Sequence, residues 1–174
     1  AGVIEWKRAN PGDDLLTLLI DAEHEGDRLS PTELRDQVAL LFIAGHETTV
    51  NLIGTGTYEL LRHPDRAARG GGDPGLGPRA VEELLRFVAR VQFSRRITRS
   101  ETTIRGCTIP PGAFVLACLA SANRDPEVFG PTADELDLGR PDASAHLSFG
   151  SGAHYCLGAS LAKLEAEVSI GSFL

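Results

Sequence analysis

The apolar positions of this chain fall into helical runs joined by a short region with a different period. The longest run follows Ser30-Pro31-Thr32-Glu33, a capping box with proline at the first helical position, and meets no breaker until Pro64. It predicts a helix over 31–62, about 48 Å long at 1.5 Å per residue. From Val38 to Ile53 the run is apolar almost all round, the mark of a buried helix. Before it, residues 1–12 read as irregular and polar, closing in the turn Asn10-Pro11-Gly12. Asp13 to Glu25 reads as a short amphipathic helix with Leu15, Leu18, Leu19 and Ala22 on one side, stopped by Gly26-Asp27.

Beyond Pro64, Gly70-Gly71-Gly72 and Gly75 weaken any local helix. Pro78 opens another helix, to about residue 89, with Val81, Leu84, Leu85 and Val88 as its apolar stripe. Arg79, Glu83, Arg86 and Arg90 lie opposite; on physics alone that is a solvated face with a weak Glu83–Arg86 ion pair. The period then changes. Within the hairpin region 97–120, Thr102 to Ile109 turns at Arg105-Gly106, and Phe114 to Ala120 is a short buried run. Residues 123–148 carry turn residues and no period, and read as a meander. Leu157, Leu161, Leu164 and Val168 fall on one helical face, so a loop and a helix are expected over 149–172. The expected fold is mainly α with a small β portion, one domain over 1–174.

Composition narrows the function classes. The chain has 174 residues, 42% hydrophobic and 24% charged, enough for a soluble domain with a sizeable core. A net charge of −7 without a basic run sets nucleic acid aside as a partner. No uninterrupted apolar stretch reaches the roughly 18 residues of a membrane span, and no secretory signal opens the chain. Three widely spaced cysteines argue against a disulfide framework and for a reducing, cytoplasmic setting. Cys107 and Cys118 are expected to be buried and inert. The lack of methionine, and a helical pattern interrupted at Ser172-Phe173-Leu174 without a stop signal, suggest a piece of a longer protein.

Two stretches carry candidate chemistry. In Phe149 to Gly158, FGSGAHYCLG, a glycine-rich loop delivers Cys156 to the start of a helix, where the dipole and unpaired N–H groups favour a thiolate. Gly150, Ser151 and Gly152 leave the backbone open to a flat partner. Such a thiolate suits a soft metal centre, haem iron included. The plain alternative is a small buried hydrophobe after a turn. Tyr155 breaks a dinucleotide fingerprint, and His154 with Cys156 alone makes no tetrahedral zinc site. In the long helix, AGHETT, Ala44 to Thr49, sets a glycine, a carboxylate and two threonines among apolar neighbours. That costs helix propensity and desolvation. A kinked core helix with threonine back-bonding would account for it. A zinc-protease reading of His46-Glu47 fails, because position 50 is Val.

FGSGAHYCLG resembles the haem-ligand signature of the cytochrome P450 family at every fixed position. AGHETT resembles that family's oxygen-activation segment, and Glu83-Leu84-Leu85-Arg86 its Glu-x-x-Arg motif, in the expected order. The resemblance implies the C-terminal part of the cytochrome P450 fold, with the long buried central helix and the cysteine-ligand loop. It implies haem b, with Cys156 as the metal ligand and electron donor to the iron. Arg96, ten residues before Gly106, and His154 would pair with the haem propionates. Phe149, Gly150, Gly152, Gly158, Ala44 and Gly45 would surround the cofactor. Thr48 and Glu47 would deliver protons to the oxygen being activated. Glu83 and Arg86 would form a structural ion pair whose usual third arginine finds Glu135 about where it is sought, leaving that partner unassigned. Arg90 stands where relatives usually carry proline.

The implied function is an O2- and NAD(P)H-dependent hydroxylation or epoxidation of a small lipophilic molecule, with ferredoxin and ferredoxin reductase as electron donors. Two alternatives stay open: a truncated, non-catalytic haem-binding remnant, and a peroxide-using haem-thiolate enzyme. The presence of both Glu47 and Thr48 speaks for O2 over peroxide.

Overall fold

A computed structural model describes residues 2–24, 27–66 and 77–172. The chain is helix-rich with small two-stranded sheets. It divides into two compact units, Ala1–Glu47 and Thr48–Leu174. The division falls within α3 (Pro31–Arg62), the longest helix. The glycine triple, 70–72, lies outside the described residues.

In the first unit, α1 (Gly2–Ala9) forms where the sequence reads as irregular. Its one buried side chain is Ile4, so too little of it is apolar to show as a period. The helix predicted from Asp13 to Glu25 is shorter: α2 (Leu15–Asp21) is capped by Asp14, whose carboxylate accepts from Thr17 N–H. A strand pair, β1 (Glu23–His24) and β2 (Asp27–Arg28), follows it. Lys7 pairs with Asp14, and this hydrogen bond holds the exposed carboxyl below its ordinary range. The capping box forms as the sequence reads: Ser30 N–H donates to Glu33 at 2.9 Å, and Glu33 N–H donates to Ser30 Oγ at 3.3 Å.

The second unit holds the main core. α4 (Pro78–Val88) packs Val81, Leu84 and Leu85 with Leu52 and Leu60 of α3, Leu136, Leu138, and Ala166 and Ile170 of a later helix. Gly56 makes the close approach possible, since a Cβ there would sit 3.1 Å from Ile170 Cδ1. β3 (Phe93–Ile97) pairs antiparallel with β6 (Phe114–Cys118), with Arg96 opposite Val115. Between them β4 (Thr102–Ile104) and β5 (Cys107–Ile109) make the expected hairpin, with Arg105 and Gly106 both at positive φ. Two single-turn helices, α5 (Leu119–Ala122) and α6 (Pro126–Phe129), lead into the meander, and α7 (Ala159–Gly171) closes the described chain.

Three burial expectations are corrected. Val38 to Ile53 of α3 is not a buried helix here: Leu40, Phe42, Ile43 and Val50 are more than half exposed, and Leu52 is its one buried member. An apolar surface all round calls for neighbours on all sides, and the described residues do not supply them. Phe114 and Leu116 are exposed in β6 for the same reason. Cys107 and Cys118 are exposed as well. By length and composition alone α3 is also long and apolar enough to cross a membrane, a test that the core helix of a soluble protein passes too. Counting uninterrupted apolar residues missed this, because Gly45, His46 and Glu47 break the run without lowering its average far enough.

Candidate functional site

The cysteine loop is held from below. Arg86 and Glu83 lie on the buried face of α4, both fully inside, not on a solvated one. Arg86 Nε and Nη2 donate to the two Glu83 carboxylate oxygens at 2.7 and 2.8 Å. The remaining guanidinium protons go to carbonyls of the meander: Asn123 at 2.7 Å, Ala133 at 2.6 Å and Glu135 at 2.8 Å. Glu83 also accepts from Asp137 N–H at 2.8 Å.

The third partner is Arg140, which the sequence reading left unassigned. Its Nε donates to Glu83 at 3.3 Å, while Nη1 donates to Phe129 O at 2.8 Å and Nη2 to Thr132 O at 2.7 Å. Buried charge at this density is tolerated because each guanidinium nitrogen has an acceptor. No sequence signal marks Arg140; the need for it follows from the burial of Glu83, a carboxylate that can accept more donors than Arg86 alone supplies.

From this base the hydrogen bonds run to the loop. Asn123 donates to Ser148 Oγ at 2.8 Å and accepts from Leu147 N–H at 2.7 Å. Ser148 Oγ donates to Leu85 O at 2.7 Å. Half-buried Phe149 packs against the core, and its carbonyl accepts Cys156 N–H at 2.9 Å. Gly150 and Gly152 both take φ of +72°, a conformation open to glycine and strained for other residues. The chain turns there and lays Cys156 outward, with its thiol exposed. α7 begins at Ala159, two residues later than the pattern that starts at Leu157 suggests, with Gly158 at its N-cap.

The predicted stripe that runs from Leu157 into α7 is exposed, as the loop residues are. Leu157 is 83% exposed, and Leu161, Leu164 and Val168 are all more than half exposed, while Ala159, Ala166 and Ile170 turn inward. His154, at the end of a 3₁₀ turn (Gly152–His154), is exposed. Arg96 is exposed on β3, where Nη1 donates to Ser94 Oγ and Arg95 O. With Arg95, Ile97 and Phe114 it lines a shallow hollow. Ala44, Gly45, Glu47 and Thr48 are exposed along α3, and a Cβ at Gly45 would meet nothing within 4 Å. The structure thus joins Glu83 to Arg86, and groups Phe149, Gly150, Gly152, His154, Cys156 and Gly158 in one loop. It seats Arg96 on a separate strand.

Among the described residues no group of three or more His, Cys, Asp and Glu side chains could hold a metal ion. Among the described residues Cys156 thus belongs to no three-ligand group, and it suits a metal that arrives with its other ligands attached, as iron does in haem. An exposed thiol beside an exposed leucine stripe and uncrowded glycines fits a flat apolar macrocycle.

The family model for cytochrome P450 matches residues 5–69 and 78–174. The vitamin D(3) 25-hydroxylase of Pseudonocardia autotrophica is 50% identical over 171 residues, 97% of this chain and 42% of that protein. The 6-deoxyerythronolide B hydroxylase of Saccharopolyspora erythraea is 46% identical over 97% of this chain and 41% of its own length. Among solved structures, the ligand-free P450 monooxygenase TamI matches with a TM-score of 0.89 and 47% identity, over 99% of this chain and 42% of that one. The bacillaene polyketide synthase cytochrome P450 PksS of Bacillus subtilis 168 matches with a TM-score of 0.90 and 39% identity, over 99% of this chain and 44% of that one. The chain spans about two fifths of the length of these relatives.

Proposed function

The chain belongs to the cytochrome P450 family, and from that premise we propose that it carries the haem-thiolate portion of a monooxygenase. Proteins of this family bind haem b, iron protoporphyrin IX. The observation that carries the reading is Cys156: one exposed thiol, on a glycine loop braced by a buried ion network, beside an outward leucine stripe. When bound, haem supplies the activation of O2 and the insertion of one oxygen atom into a C–H or C=C bond.

The chain's own residues would do the following. Cys156 Sγ ligates the iron as thiolate, and Phe149, Gly150, Gly152 and Gly158 shape the loop that presents it. Arg96 and His154 would contact the propionate carboxylates, the Arg96 guanidinium as the fixed positive charge. Ala44 and Gly45 leave α3 without bulk where a flat group would lie. The Thr48 hydroxyl and the Glu47 carboxylate hold and pass protons from solvent. The substrate is a small lipophilic molecule, a class consistent with the hydroxylase names of two relatives. Electrons come from NAD(P)H through ferredoxin reductase and ferredoxin in the cytoplasm, with α3 as a core helix and not a membrane span.

A second reading has its own support. The chain spans 42% of its vitamin D(3) hydroxylase relative, and apolar side chains of α3 stand exposed, so these residues by themselves could be a haem-binding piece without turnover. The test is the absorption spectrum of the haem-loaded, dithionite-reduced chain under carbon monoxide. A strongly red-shifted Soret band, lost in Cys156→His, is the expected result. A band at the ordinary position would overturn thiolate ligation, and no haem uptake would assign binding to a longer protein.

A further inference from the structure

We propose that His146 is a positioning residue for the Cys156 loop, acting through a closed ring of contacts formed by His146, Glu82, Lys163 and Phe149. The inference rests on the haem-thiolate reading for the purpose of the loop, not for the existence of the ring.

His146 is 8% exposed, at the end of the meander. Its Nδ1 accepts Ser148 N–H at 3.1 Å, which fixes the neutral tautomer with hydrogen on Nε2. Nε2 then donates to Glu82 on α4, 3.0 Å away. The other Glu82 oxygen takes Lys163 of α7 at 2.6 Å, so its negative charge is answered by the lysine and the imidazole stays neutral. Lys163 Nζ also lies 5.6 Å from the centroid of the Phe149 ring, a cation–π contact. The Phe149 ring in turn meets His146 at 5.7 Å, and Tyr155 edge-on at 6.1 Å. The ring is closed across three elements: α4, α7 and the loop.

Its geometry bears on Cys156 at one atom. Phe149 O accepts the Cys156 N–H, so whatever fixes the Phe149 ring and the preceding Ser148 amide fixes the peptide that carries the thiol. His146 does both, by hydrogen bond to the amide and by ring contact. The Glu83–Arg86–Arg140 cluster does neither directly; it reaches the loop through Asn123 and Ser148 Oγ. The two braces therefore meet at Ser148 through different atoms, its N–H for His146 and its Oγ for Asn123.

The experiment is hydrogen exchange at the Ser148 and Cys156 amides of the chain without haem, together with the carbon monoxide spectrum of the haem-loaded chain as a function of pH. His146→Phe keeps the ring and removes both hydrogen bonds. Exchange at the Ser148 amide should rise about tenfold, the change expected for loss of one hydrogen bond, and exchange at Cys156, whose acceptor Phe149 O remains but is held less firmly, should rise with it. His146→Asn, whose Oδ1 can accept the Ser148 amide, should restore protection there. In the haem-loaded His146→Phe variant the red-shifted band should give way to the ordinary one at higher pH than in the parent. A general loss of stability would move that transition too, so its return to the parent value in His146→Asn is the result that marks positioning. Unchanged exchange in a folded His146→Phe chain overturns the proposal. Should that variant fail to fold, Lys163→Gln decides: faster exchange at Cys156 supports the ring, unchanged exchange overturns it. If the parent takes up no haem while the amide results hold, the haem-thiolate reading of this chain fails and the ring stands.

Discussion

Arg140 Nε lies 3.3 Å from a Glu83 carboxylate that Arg86 already holds through two shorter hydrogen bonds. One fully buried anion thus faces two buried cations, and the carbonyls of the meander take up the excess donors. The cluster ties α4 to a segment with no regular structure of its own. Arg86→Ala removes the principal partner of a buried charge and should destabilise the chain by about 3–5 kcal/mol. Arg140→Ala leaves Glu83 with Arg86 and should cost less, about 1–3 kcal/mol. Urea midpoints would check the order, and equal losses would contradict it.

Gly45 and Gly150 should respond with opposite signs. Gly45 sits in helix with open space around it, so Gly45→Ala should stabilise α3 by up to about 1 kcal/mol while weakening haem uptake. Gly150 holds φ at +72°, and Gly150→Ala should cost about 1 kcal/mol or more in the unliganded chain. Thermal unfolding with and without haem separates the two.

Cys156 is exposed, so Cys156→Ser should change stability by no more than about 0.5 kcal/mol while abolishing the red-shifted carbon monoxide band. In a full-length protein containing this chain, Thr48→Ala should raise the NADPH consumed per product formed. Unchanged coupling would remove Thr48 from the proton route.

Burial lowers the His146 pKa from its ordinary 6.5, with Lys163 acting the same way and Glu82 opposing. The unfolded chain therefore binds a proton at a higher pH than the folded one. Stability from His146 is complete above about 6.5 and falls as the pH drops from there toward the lowered folded value. His146→Phe should flatten that part of the stability–pH curve, measured by denaturant titration at a series of pH values.

Features closed by near neighbours could be read from the chain. Ser30 with Glu33, and Arg105 with Gly106, satisfy or turn the backbone within four residues, so residue type alone reports them. The loop around Cys156 was readable because its glycines and cysteine are contiguous. Arg140 was not, because its acceptors are scattered over a meander that carries no period. His146 gave no sign either; its role depends on Glu82 and Lys163, which lie 64 residues before it in one case and on α7 in the other. Periodicity also marks an apolar face without saying what covers it. The stripe from Leu157 to Val168 is apolar and exposed, and the apolar girth of α3, expected to be enclosed, is exposed as well.

The stripe on α7 also governs how the molecule behaves in a tube. Three aliphatic side chains projecting from α7, with Leu157 just before it, make a patch that water does not favour, and two such chains can cover it for each other. The amount of free monomer then depends on total protein concentration. Any flat apolar molecule added to the buffer competes with self-association for the same surface. Haem titrations followed at one concentration would mix the two equilibria, and a dilution series would resolve them.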